Sequence, residues 1–549
     1  MTKVMSSRLA TILPKLISDA QEGFVQGRLI QDNILLAQEL IHHIDKGKIW
    51  RRFGFSELWI ERVMACLDNN CFSILINGKS ARFFMSEKGV RQGDPLSPTL
   101  FILAEEYLLR GLHHLYERHK DLSYQTGCNL MQFLDHYQKV SGQLVNTEKS
   151  SCILSSKASP ARCSIVLKVT GFRKGSTPFT YLGIPIYKGK KQSFLFDDLI
   201  EKIRGRLASW SSNFLSFGGR LKLLQSVLST LPNYYLQVMQ MPAEVYTKIE
   251  RIFNKYLWDG LPWCKWQKVS APFEEGGLNI RSMADIHHTF MLKSWLRLRE
   301  CKSLWSRFML GKYCRKYHPK VATVHPSHSR VWKNLLKVRD EAEALIHWQL
   351  GQGNCDFYLD SWLDMGPIAQ WYPDQPGGTK VKEFWKNGAW DVEKLSHWFP
   401  QHLVSRIQEV FFDPWAEDVI WKASKDGTFS FKSALEEIRT HREQSPHMAV
   451  IWHNNIPRKM SFLAWRVLHN WLPVDEMMIK KGLTWSRSVC AVVTQKLLNM
   501  SSLLILLQIR YGHILRGWLE LSTHISQLFI KFCECGRCQS RLKGTYSHG

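Results

Sequence analysis

The chain has no long uncharged hydrophobic run. Its most apolar stretch, Val489 to Leu507, is interrupted by Gln495, Lys496 and Asn499, whereas a membrane-spanning helix needs about 20 mostly apolar residues; no membrane partner is expected. Cysteine is sparse and odd in number. Thirteen thiols scattered over 549 residues exclude the even-numbered disulfide framework of a small secreted protein and fit a reducing, intracellular compartment, nucleus or cytoplasm. Acid is the third shortage: 48 Asp+Glu stand against 73 Lys+Arg, a formal charge of +25. Such a surplus points to a polyanionic partner, and we expect RNA or DNA, bound without regard to sequence, with no defined protein partner. No acid precedes Asp19, a faint likeness to a mitochondrial presequence. We set that aside because the same residues run straight into the patterned segments below. With 45% hydrophobic and 22% charged residues, the chain is that of a folded protein of two to four domains. Its 22 Trp and 28 Phe offer faces for stacking on bases, although core burial is the ordinary role of any one of them.

Several segments carry more than composition. Gly27 marks a turn, after which Ile30, Ile34, Leu35 and Leu40 recur at helical spacing, so a loop bearing Arg28 feeds a helix. Gly89-Val90-Arg91-Gln92-Gly93-Asp94-Pro95-Leu96-Ser97-Pro98 precedes an apolar run from Leu100 to Leu115; Asp94 suits an N-cap and Pro95 the first helical position. Ser141 to Ser150, containing Lys149, and the turn Tyr181-Leu182-Gly183-Ile184-Pro185 follow. Phe196 to Leu231 predicts a pair of amphipathic helices broken at Ser216-Phe217-Gly218-Gly219, with Arg204, Arg206, Arg220 and Lys222 flanking the break. Further on lie Gly276-Gly277-Leu278-Asn279-Ile280 with a helix to Leu298, Gly351-Gln352-Gly353 through Trp362, and Trp421 through Gly427 to Trp452, then Phe462 to Arg466 and Cys490.

In this order the segments resemble the reverse transcriptases of plant LINE-type (non-LTR) retrotransposons with a C-terminal reverse-transcriptase zinc-binding domain, over roughly residues 1 to 490. The resemblance implies an α/β chain, a partial right-hand polymerase lacking palm elements. It implies fingers and partial palm at 1–115, remaining palm to the primer-grip turn at 116–190 and a helical thumb at 191–260. A mostly helical connector at 261–410, a zinc-binding-like domain at 411–490 and a degenerate tail at 491–549 complete the layout. By the same resemblance Arg28, Arg91, Gln92, Gly93, Asp94 and Lys149 handle template and nucleotide. Tyr181, Leu182 and Gly183 form the primer grip, and Arg204, Arg206, Arg220 and Lys222 are the nucleic-acid-binding cations of the thumb.

The resemblance also exposes what is missing. Such polymerases hold two magnesium ions between an aspartate on one palm strand and an aspartate pair on a later hairpin, because clustered carboxylates are needed to stabilise the attacking and leaving oxygens through metal. Where the first should stand, the chain has only Asp45-Lys46-Gly47-Lys48-Ile49-Trp50-Arg51-Arg52; eight extended residues reach at most about 29 Å and cannot also build a strand and a helix. Where the pair should stand, between Leu115 and Gln132, Asp121 is alone among weak strand formers. Asp197-Asp198 imitates the pair but opens a thumb helix, where acids suit the helix dipole. We therefore expect no catalytic residue and no magnesium site. The zinc pattern fails similarly: after Cys490 the second ligand position holds Val493, and Leu503 to Leu507 occupies the place of the later ligands, as in a frameshifted stretch. Cys533, Cys535 and Cys538 lack a fourth neighbour, so no metal is expected there. Endonuclease and RNase H segments are not expected in the chain. The readings left standing are a degenerate, inactive reverse transcriptase, a non-catalytic nucleic-acid-binding protein, and a translated pseudogene without function.

Overall fold

Local hydrogen bonds set where the helices of this chain begin. In the computed structural model several helices start on a serine whose hydroxyl accepts a first-turn backbone N–H. Ser159 opens Pro160–Thr170, Ser216 opens Phe217–Ser226, and Ser303 opens Leu304–Tyr313. Ser329 opens Arg330–Ala344 and Ser430 opens Phe431–Ile438. Each such cap contributes about 1 kcal/mol. The structure describes residues 17–18, 25, 28–42, 71–76 and 79–85, nine positions between 98 and 112, and 124–141, 143–154, 158–209, 215–315, 317–372, 377–386, 388–413, 418–453, 456–469 and 471. Among them helices alternate with five two-stranded sheets, four antiparallel and one parallel, the last joining Ser151–Cys152 to Arg173–Lys174. The longest hairpin pairs Cys71–Ile76 with Lys79–Met85, leaving only Asn77-Gly78 between the strands, a dipeptide suited to a two-residue turn.

The chain forms two compact units that do not follow linear order. Residues 1–190 fold with 291–429, and 191–290 with 430–549. The region expected as a connector at 261–410 is thus divided between them. In the first unit the Ile30–His42 helix lies against the Leu304–Tyr313 and Arg330–Ala344 helices and the Ile184–Ile186 strand. Its apolar side, Ile34, Leu35 and Leu36, is buried. Tyr313 stacks on Trp332 with ring centroids 4.7 Å apart, and Trp295, Trp305 and Trp332 are fully enclosed. A second core of this unit gathers Phe357, Trp362, Phe384, Trp390 and Phe399; Phe357 stacks on Phe384 at 4.1 Å. The strand Asp418–Trp421 then returns to pair with Ile346–Gln349.

Beside these cores sits a buried charge network. Arg299 pairs with Glu343 at 3.0 Å and with Asp360, Glu343 also accepts from the Trp295 indole at 2.8 Å, and Asp360 lies 3.1 Å from His318. Burial alone would raise the Asp360 carboxyl, but Arg299 and His318 outweigh it and hold it down to about 2.

In the second unit Phe196, Leu199, Ile200, Ile203, Leu221, Leu224 and Ile249 are buried on or beside the helices Asp197–Ser209, Phe217–Ser226 and Ala243–Trp258. The break in the amphipathic pair lies earlier than its glycines suggest. Phe217, Gly218 and Gly219 form the first turn of a helix capped by Ser216, and a Cβ on Gly218 would stand 2.9 Å from the Phe462 ring. Close packing, not a turn, requires that glycine. The Gly276-Gly277 motif is also explained: Gly276 adopts φ +82°, and a Cβ at Gly277 would fall 2.1 Å from the Ala271 carbonyl oxygen. Onto this turn the Arg458–Leu468 helix docks, with the Trp465 indole donating to the Gly276 carbonyl at 2.8 Å.

The Arg299 network yields a test with a defined sign. Because the folded-state pKa of Asp360 lies below the ordinary value of about 3.9, its pairing contributes fully above that value and is lost as pH falls from about 4 toward 2. Asp360→Asn should lower unfolding stability at neutral pH by roughly 3–5 kcal/mol, since it leaves buried Arg299 underpaired. In urea titrations followed by tryptophan fluorescence, the gap between wild type and variant should narrow below pH 4. A gap under about 1 kcal/mol at pH 7 would show that the network carries no such weight.

Candidate nucleic-acid interface

The loop before the first described helix is braced by charge. Arg28 is half-buried and donates to the carbonyl oxygens of Ile17, at 3.0 Å, and Ser18. Ser18 in turn donates its N–H and hydroxyl to Glu106 at 3.1 and 3.0 Å, and Glu106 pairs with Arg110 at 3.0 Å. These contacts turn the Arg28 guanidinium toward its own loop. Arg91, Gln92, Gly93 and Asp94 lie outside the described residues, although the described positions between 98 and 112 are helical. Lys149 is exposed in a turn where its backbone N–H donates to the Asn146 side chain at 2.9 Å.

Tyr181, Leu182 and Gly183 form the tip of the Phe179–Tyr181 and Ile184–Ile186 hairpin. Leu182 at φ +48° and Gly183 at φ +77° give the left-handed pair that a two-residue hairpin turn demands. Glycine takes this conformation freely; leucine does so at a cost. Ile184 and Ile186 are fully buried below the tip, while Tyr181 and Leu182 are more than a third exposed, so the hairpin presents its tip from an anchored base. Partial burial raises the Tyr181 phenol.

The four thumb cations fall on two helices of the second unit. Arg204 is exposed and pairs with Glu201 one turn earlier at 2.7 Å, and Arg206 and Lys222 are exposed. Arg220 is different: only 11% of its side chain is exposed and it pairs with Asp259 at 2.9 Å. Three of the four are thus exposed at the surface.

Two residues that sequence reasoning passed over define the first unit. Asp32 and Glu39 are buried acids on the Ile30–His42 helix. Arg297 grips Asp32 with both terminal nitrogens, one at 2.7 Å. Glu39 accepts from Lys312 at 2.6 Å, from the Tyr313 hydroxyl at 2.9 Å and from Ser329, the hydroxyl that also caps its own helix. Burial and the Glu39 carboxylate push the Tyr313 phenol up, which keeps it a donor. A signal existed: the acids are seven residues apart, two helical turns, in phase with the apolar side.

Neither acid is available to a metal, since their oxygens are already engaged by cations and hydroxyls. Asp197 opens its helix 3.5 Å from Lys248. Among the described residues no group of three or more His, Cys, Asp or Glu is placed to hold a metal ion. Asp45, Asp121, Cys490, Val493, Cys533, Cys535 and Cys538 lie outside the described residues. Between 124 and 141, where the resemblance leads one to expect the end of a strand hairpin, there is a helix. Among the described residues no helix is long and apolar enough to cross a membrane.

Comparison with known proteins finds two segments that match described families. Residues 1–186 match the family of reverse transcriptases (RNA-dependent DNA polymerases), and residues 429–505 match the family described as zinc-binding in reverse transcriptase. A putative ribonuclease H protein of Arabidopsis thaliana is 26% identical over 337 residues, covering 56% of this chain and 53% of that protein. The transposon TX1 uncharacterized 149 kDa protein of Xenopus laevis is 25% identical over 341 residues, covering 53% of this chain and 26% of that protein. The chain therefore spans about half the length of the first relative and about a quarter of the second.

The buried acids make a local prediction. Asp32→Asn should accelerate amide hydrogen exchange in the Ile30–His42 helix about tenfold or more, because Arg297 loses its ionic partner. The Phe431–Ile438 helix of the other unit should be unaffected. Unchanged exchange at 30–42 would show that the helix is held by its apolar side alone.

Proposed function

We propose that this chain, which carries reverse-transcriptase and zinc-binding sequence, is a remnant of an RNA-directed DNA polymerase of a non-LTR retrotransposon that retains nucleic-acid binding and has lost catalysis. The observation that carries the reading is a mismatch within residues 1–186: they match the polymerase family, yet the stretches 45–52 and 116–128 hold only Asp45, Glu117 and Asp121 as acids. The relative named as a transposon protein supports the retrotransposon origin. Magnesium would supply charge stabilisation for phosphoryl transfer, but the acids present do not offer it a paired-carboxylate site, and no step is derived through it. What the chain's own residues provide is binding: a surplus of cations, exposed Arg204, Arg206 and Lys222 on consecutive helices, and an anchored hairpin tip at Tyr181 to Gly183.

A second reading, a nucleic-acid-binding protein with a role of its own, is favoured by the same +25 charge. Both readings share the binding chemistry and part company on selection for it.

Purified full-length chain should give no primer extension on an RNA template with magnesium or manganese. Extension that disappears on changing Asp45 or Asp121 to Asn would overturn the loss of catalysis. Binding to single-stranded RNA or DNA should be independent of sequence and should weaken steeply with salt. If the four thumb cations each neutralise one phosphate, log affinity should fall against log salt with a slope of about three. Replacing all four with Gln should remove most of that slope, and a salt response left intact would refute the assignment of binding to the thumb.

A further inference from the structure

Arg466 is a half-buried cation that the function proposed above leaves unexplained. It projects from the Arg458–Leu468 helix and lies over two aromatic rings, its guanidinium carbon 4.6 Å from the Phe217 centroid and 4.9 Å from that of Trp258. Its Nε is buried without an acceptor. Among the described residues no carboxylate or carbonyl bonds to it, in contrast to Arg299, Arg439 and Arg297, each of which faces an acid. One turn on from Phe217, Arg220 adds a second positive charge. Its carboxylate partner Asp259 follows Trp258 at the end of the Ala243–Trp258 helix, in the left-handed conformation and half exposed. Burial and then Arg220 pull the Arg466 guanidinium down to about 10, the direction expected of a cation held near another cation with too little negative charge beside it.

Cation–π contacts recover only part of what a guanidinium loses by leaving water without an acceptor. The rings hold the guanidinium plane in place, which leaves its edge as the part able to accept a planar fork of oxygens. Among the described residues, Asp259 is the one carboxylate that the two guanidinium groups face, an arrangement suited to receiving an added anion.

We propose that Arg466 and Arg220 form a phosphate subsite for the backbone of a bound nucleic-acid strand, with Asp259 occupying Arg220 until the phosphate arrives. The proposal rests on the nucleic-acid-binding reading above and adds to it a residue from the zinc-binding-like part of the chain.

The test uses the full chain and a labelled oligo(dT) strand, with affinity measured across a salt series. Arg466→Gln should weaken binding about tenfold and lower the salt slope by about one. Asp259→Asn should act in the opposite direction: it takes the competing carboxylate away from Arg220, asparagine tolerates the left-handed backbone, and binding should tighten several-fold. Asp197→Asn is the control, removing an exposed carboxylate from the same unit with the same change in net charge, and should have a clearly smaller effect. If Asp259→Asn and Asp197→Asn act alike, or if Arg466→Gln lowers the melting temperature and leaves the slope intact, Arg466 is a packing residue and the proposal falls. Should Arg466→Gln not fold, the Asp259 and Asp197 comparison decides alone. Replacing chloride with inorganic phosphate at equal ionic strength separates the sources: loss of the strand at low phosphate would make this a free-phosphate site and overturn the assignment to nucleic acid. Wild-type chain that binds no strand at all would overturn the broader reading as well, whereas a binding wild type with unresponsive variants would overturn this one only.

Discussion

The carboxylates of Asp32 and Glu39 constrain where the Ile30–His42 helix can lie. A charge moved into a low-dielectric interior costs several kcal/mol unless an opposite charge and hydrogen bonds meet it there. Arg297, 265 residues away in sequence from Asp32, and Lys312, 273 away from Glu39, supply those charges. An apolar stripe alone would tolerate sliding or rotation by part of a turn. Two acids two turns apart, each facing its own cation, do not. The pairs need not add much net stability to act this way, since a well-packed apolar pair would serve as well; what they remove is every alternative register that strands a buried charge.

This constraint accounts for the division of the first unit between distant stretches. The segment 291–344 supplies Arg297, Lys312, Tyr313 and Ser329 and also the enclosed Trp295, Trp305 and Trp332. The same residues thus carry both the hydrophobic burial and the charges that orient it. Arg299, two residues beyond Arg297, repeats the arrangement with Glu343 and Asp360, so one helix end orders two separate acid-bearing segments. The tryptophans that the composition offered as stacking surfaces for bases are in large part used up in this way: Trp362, Trp421 and Trp465 are fully buried too, while Trp398 is among those left with about half of the side chain exposed.

Charge divides the residues of interest into two kinds. Arg28 and Arg220, expected to meet phosphate from their positions in the motifs, make hydrogen bonds or ion pairs inside the protein, whereas Arg204, Arg206, Lys149 and Lys222 remain exposed. The distinction follows from reach. A guanidinium beside a loop finds carbonyl oxygens within its own length, whereas a cation on the outer side of a helix stays in contact with water even where it pairs with a nearby acid, as Arg204 does with Glu201. Arg466 belongs to neither kind: among the described residues it lies against two rings with no acid bonded to it, which sets it apart from Arg297, Arg299 and Arg439.

The amphipathic stripe of Ile34 and Leu35 and the turn at Leu182-Gly183 were legible in the sequence by itself, because each depends on residues close in the chain. Serine caps at 159, 216, 303, 329 and 430 are as local, each bonding to an N–H three positions on, yet only Ser216 was singled out, and as part of a break. The sequence also determined that Asp45, Glu117 and Asp121 are the acids of the stretches 45–52 and 116–128. The glycines at 218 and 277 were legible as glycines but not as what they are, because the ring of Phe462 and the carbonyl of Ala271 that forbid a side chain there arrive from elsewhere in the fold. The partners of Asp32, Glu39, Arg28 and Arg466 were decided only by the tertiary structure. A charged side chain carries no local mark of the group that will neutralise it, and here that group comes from up to 273 residues away, once the apolar surfaces have brought the helices together.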